Sequence, residues 1–100
     1  MGSFQMSVWH TLGKEEARRR LQQKLATVRQ SYSHHVSQLN ESWEGHVLSF
    51  SFRAAGMNVS GTITVEDSQV SLDAVLPLAA MMFRGLIEQR IRQELGDLLA

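Results

Sequence analysis

The chain has 100 residues, 43% hydrophobic and 20% charged, with ten Lys or Arg against ten Asp or Glu. That size suits one domain over residues 1–100 with a workable core, and the mixed composition excludes a disordered or fibrous chain. Zero net charge leaves no overall field to steer the molecule toward nucleic acid or anionic lipid, and the lack of cysteine excludes a disulfide scaffold, thiolate catalysis and thiolate metal sites.

Phe4, Met6 and Val8 alternate with Gln5 and Ser7, the period of a short half-buried strand. Trp9 falls on the opposite face. No basic stretch followed by an apolar one opens the chain, so no export signal is expected and the cytoplasm is the expected compartment. Without such a signal, the sequons Asn40-Glu41-Ser42 and Asn58-Val59-Ser60 are coincidences of three residues.

From Lys14 to about Ser37 the residues Ala17, Leu21, Leu25, Val28, Tyr32 and Val36 recur at steps of three and four, which predicts one amphipathic helix with Thr11 as its cap. Glu15 and Glu16 suit its positive end and can pair with Arg19 and Arg20. Ser37 to Gly45 is polar apart from Leu39 and Trp43 and reads as a connector.

The period then changes to two. Leu48, Phe50 and Phe52, next Met57, Val59, Gly61, Ile63 and Val65, and last Val70, Leu72, Ala74 and Leu76 alternate with polar residues. Three such strands form an antiparallel meander with one covered and one wet face. Ala55-Gly56 and Asp67-Ser68 are its predicted turns. Gly61 lies in the apolar register, where a missing side chain admits a close helix or marks a bulge.

Pro77 stops the ladder and opens a second helix to about Leu99, with Phe83, Leu86, Ile87, Ile91, Leu95 and Leu98 as its stripe. The expected fold class is therefore α+β: a β-α-β-β-β-α two-layer sandwich, mostly antiparallel, with both helices on one sheet face. The position of the first strand in the sheet is not readable from pattern.

The run "VLPLAAMMF", Val75 to Phe83, is far shorter than the roughly 20 residues that span a bilayer. It leaves a helix start that is apolar on every side. Leu78, Met81, Met82 and Phe83 are accordingly the candidate hydrophobic contact. Leu78, Met81 and Met82 can cover the sheet edge and meet the first helix as core, or the run can form an oligomer interface such as a homodimer through the carboxy-terminal helix, or meet a hydrophobic ligand or surface. Gly85 predicts close backbone packing nearby.

Residues for chemistry are sparse. His34 and His35 are neighbours whose side chains diverge by about 100° on a helix, so a shared metal is not expected. No Gly-x-Ser-x-Gly elbow, no Gly-rich phosphate loop and no aromatic stacking platform beside Arg18, Arg19 and Arg20 are present. These readings predict no catalytic site, no cofactor, no metal and no nucleic-acid partner.

"HTLGKEEARRRL", "WEGHVLSFSFRAAGMNVSGTITVEDSQVSLDAVLPL" and "IEQRIRQELGDLL" together cover nearly the whole chain. In these segments it resembles the polyhydroxyalkanoic acid system family, small bacterial proteins associated with polyhydroxyalkanoate storage granules. The resemblance implies a cytoplasmic, granule-associated or granule-related protein of polyester storage, and with the residues read above the expectation is a non-enzymatic accessory or binding protein. Its partner would be the granule surface or a coat protein, met through Leu78 to Phe83. It carries over no catalytic residues. The alternative from the residues themselves is a small carrier holding an apolar ligand between helices and sheet, which unfilled volume beneath Phe50, Phe52 and Ile63 would favour.

Overall fold

The structure, a computed structural model, describes residues 2–100. In chain order the elements are β1 (Gly2–Trp9), α1 (Lys14–Ser31), β2 (Val36–Glu44), β3 (Val47–Ala54), β4 (Met57–Val65), β5 (Gln69–Leu76), α2 (Leu78–Met81) and α3 (Arg84–Leu99). One antiparallel sheet has the order β1-β5-β4-β3-β2, so the first strand lies beside the last. Both long helices pack on one face, giving the expected α+β sandwich.

The fifth strand, β2, occupies the segment that reads as a connector. Its pairing with β3 slips by one residue between Ser37 and Asn40, where Gln38 takes φ 54°. Such a bulge moves the inward side from one parity to the other. Val36 precedes it opposite Ala54, whereas Glu41 and Trp43 follow it opposite Phe50 and Leu48. No single alternation runs through the strand, and the sequence pattern is blind to it.

The helices also differ from expectation at their ends. Helix α1 stops at Ser31 with Tyr32 as its C-cap, six residues short of Ser37, and Gly13 rather than Thr11 is its N-cap. The predicted last helix is broken: α2 is a single turn after Pro77, and α3 restarts at Arg84 beyond Phe83. The expected turns form at Ala55-Gly56, both at positive φ, and at Asp67-Ser68. Gly61 does admit a close neighbour, but not a helix. A Cβ there would lie 2.3 Å from the Asp73 carbonyl oxygen and 3.0 Å from the Phe50 ring. Nothing lies within 4 Å of the same position at Gly85, against the close packing expected there.

Strands β1 and β2 run parallel on opposite edges, and α1 carries the chain across the whole sheet between them. Eighteen residues make a helix of ~27 Å, longer than the ~19 Å width of five strands. Because β1 and β2 are parallel, the helix must also return the chain along the strand direction, so it crosses on a diagonal. Its first half is pressed into the core, with Ala17 and Leu21 buried, while Leu25 and Val28 are half-buried and Tyr32 is 50% exposed. The core lies under that first half and under α3, among Phe4, Val8, Val70, Leu72 and Leu99.

Candidate functional site: an open groove and an apolar corner

Where α1 lifts from the sheet it leaves a groove of about 470 Å³. Phe50, Phe52 and Ile63 line its floor, and the two rings stack with centroids 6.2 Å apart. Leu25, Val28 and Tyr32 come from the helix side, and Val36 and Leu39 from β2. This is the volume beneath Phe50, Phe52 and Ile63 that the carrier reading asks for. Polar groups are confined to a few positions, Arg29, Ser33 and the Tyr32 hydroxyl on α1's side and Glu41 on β2. Arg29 Nε meets Glu41 Oε1 at 3.2 Å across the opening. No pattern in the sequence places Arg29, Tyr32 or Leu39 in a site; the isolated Leu39 in a polar segment is the one signal available.

The second feature is the corner around α2. Leu78, Met82 and Phe83 are 71%, 83% and 57% exposed, and Leu86 is 66% exposed. Met81 behaves differently. It is half-buried, packs on the core and covers β1 at Gly2. Of the sheet-covering role open to Leu78, Met81 and Met82, only Met81 takes it. Leu86, predicted as part of the buried stripe, faces solvent: within α3 it lies about 100° round the helix from Ile87, and the side that packs is Ile87, Ile91, Leu95 and Leu98.

Several of the other polar groups hold the fold together. Arg19 and Arg20 both donate to Glu16, and these bonds, Arg19's first, hold the Glu16 carboxyl down at about 2. Arg20 also donates to the Leu98 and Ala100 carbonyls at 3.1 and 2.9 Å, tying α1 to the end of α3. The Arg18 guanidinium lies 5.4 Å from the centre of the Trp43 ring, an attractive cation–π placement. Lys24 pairs with Glu94.

His10 is the one buried polar residue among those described. The Leu12 amide donates to its Nδ1, so Nε2 carries the proton and donates to the Glu66 carbonyl at 3.0 Å. The ring pins the turn before α1 to the β4–β5 turn, with neither nitrogen free to act as a base. His46 pairs with Glu15, and His34 and His35 are exposed. Among the described residues no three His, Asp or Glu side chains gather as a metal site, and no helix is long and apolar enough to cross a membrane.

Fold and site together define a small α+β protein whose distinctive surfaces are apolar, a groove and a corner. The chain belongs to the family described as "Putative polyhydroxyalkanoic acid system protein" (PHA_gran_rgn), whose model matches residues 5–99. No curated protein matches it. Among solved structures it is similar to that of TTHA0849 from Thermus thermophilus, with 15% identity and a TM-score of 0.41 over 98% of this chain and 92% of that one.

Proposed function

We propose that this protein is a non-enzymatic accessory module of polyhydroxyalkanoate metabolism that rests on the apolar boundary of the storage granule in the cytoplasm. The observation that carries this reading is the exposure of Leu78, Met82, Phe83 and Leu86 around one helix break. Large apolar side chains held out in water cost free energy, which contact with an apolar surface would recover at about 25 cal/mol per Å². Arg84 and Arg90 flank the corner, and interfacial helices often carry such basic flanks. The membership of the chain in its family supplies the polyester context.

The test is co-sedimentation of the purified protein with protein-free polyhydroxyalkanoate particles at physiological salt. Binding is expected, and Met82→Asp, at a site 83% exposed, should release the protein without changing its melting temperature. Retained binding by that variant would overturn the reading. A homodimer through the carboxy-terminal helix would hide the same side chains. Light scattering of wild type and Met82→Asp separates that case, since only a dimer changes mass.

The groove favours a second reading, a carrier of an apolar ligand held between α1 and the sheet. A volume of about 470 Å³ falls within the roughly 300–1,000 Å³ of small-molecule sites.

A further inference from the structure

We propose that the groove beneath the second half of α1 binds an aliphatic carboxylic acid, with the acyl chain along Phe50, Phe52 and Ile63 and the carboxylate at Arg29. The inference rests on the carrier reading and adds the chemistry of the head group.

The walls decide the tail. Leu25, Val28, Val36, Leu39 and the floor residues present carbon, so an alkyl chain loses water there without leaving a polar atom unpaired. Stacked Phe50 and Phe52 make a flat strip rather than a deep round pocket, a shape for an extended chain. The strip continues the core, since Leu48 precedes Phe50 on the same face of β3 and is fully buried.

The rim decides the head. Glu41 and Arg29 already form one ion pair, but the two partners differ in what they have left. Glu41's side chain is only 19% exposed, while Arg29's is 51% exposed and meets Glu41 through Nε. A guanidinium has five N–H donors in a plane, and a second carboxylate can take the other edge in bidentate fashion. Glu41 thus acts as a positioning residue that turns Arg29 toward the opening. A cationic head would instead have to displace Arg29 from Glu41. Tyr32, on the next turn of the chain, lines the same side of the groove.

Entry does not require the core to open. The half of α1 that covers the groove is the half not pressed into the sheet, and Arg29–Glu41 bridges it to β2. Small outward movement of that half would admit the chain, with Ala17 and Leu21 staying in place.

The experiment is calorimetric titration of the full chain with sodium octanoate and with 1-octanol, followed by methyl NMR. Octanoate should bind at least ten-fold more tightly than octanol and shift the Ile63 and Leu39 methyl signals. Arg29→Gln should erase that preference by weakening octanoate to the level of octanol. Val28→Trp, which fills the groove, should abolish both. Equal affinity for octanoate and octanol would overturn the carboxylate assignment and leave the carrier reading standing. No binding of either by folded wild type would overturn both. Octanoate shifts at Leu78 and Leu86 in place of Ile63 would move the ligand to the corner and overturn the site.

Discussion

The inner face of the sheet is two surfaces. Over β1 and β5 it is closed, with Phe4, Val8, Val70, Leu72 and Ala74 buried beneath α3 and the first half of α1. Over β2 and the parts of β3 and β4 beyond buried Leu48 and Val65 it opens, so that Phe50, Phe52 and Ile63 are only half-covered. Residue types do not explain the contrast, because the open half is as apolar as the closed one. Helix count does. Two helices cover a five-stranded sheet, α3 sits over the β1 side, and α1 must span the rest on a diagonal. An apolar floor becomes a groove when the cover reaches it at an angle.

The sharpest way to break this comparison is to truncate one ring in each half. Phe4→Ala should cost about 3–5 kcal/mol, as expected for a buried aromatic, whereas Phe52→Ala should cost less than about 2 kcal/mol because part of that ring is already hydrated. Urea midpoints at unchanged m-value read both; equal losses would mean that the groove is closed in solution.

Gly61 marks the seam, between Phe50 on β3 and Ala74 on β5. Its missing Cβ would lie 2.3 Å from the Asp73 carbonyl oxygen, so Gly61→Ala must displace β4 or β5. A loss of about 1–3 kcal/mol is expected. Measured stability at the wild-type value would show that the strands do not approach this closely.

Hydrogen exchange sharpens the contrast within α1 itself. Amides of Leu25 to Ser31 should be at least ten-fold less protected than those around Leu21, a difference of about 1.4 kcal/mol in opening free energy. Uniform protection along the helix would argue that its second half is as firmly seated as the first.

The smallest effect belongs to Glu16, on the closed side. Its bonds to Arg19 and Arg20 lower its carboxyl from 4.5 to about 2. A depressed carboxyl stabilises the fold fully above its unfolded value, and that contribution fades as pH falls through the folded one. Glu16's share is therefore intact at neutral pH, declines below about 4.5 and is lost below about 2. Solvent screening keeps it small. Melting curves of wild type and Glu16→Gln should differ slightly near neutral pH and merge at the acid end; a constant gap would mean that the effect is not ionic.

Strands β1, β3, β4 and β5 were legible because each alternates without interruption, and α1 because its stripe repeats over several turns. Strand β2 was not, since one bulge moves its inward residues from Val36's parity to that of Glu41 and Trp43. The corner was legible as an apolar run, but not which of its side chains turn outward: half-buried Met81 packs on the core, while Leu78, Met82, Phe83 and Leu86 stay exposed.

Local pattern alone therefore determined the α+β class, the turns at Gly56 and Ser68, and the apolar faces, because those depend on the period of each segment. Tertiary structure alone decided that β1 pairs with β5, that α1 crosses on a diagonal and that Arg29 meets Glu41 over an apolar floor. These depend on how whole elements pack against one another, and no periodicity within a segment encodes the angle between a helix and the sheet beneath it.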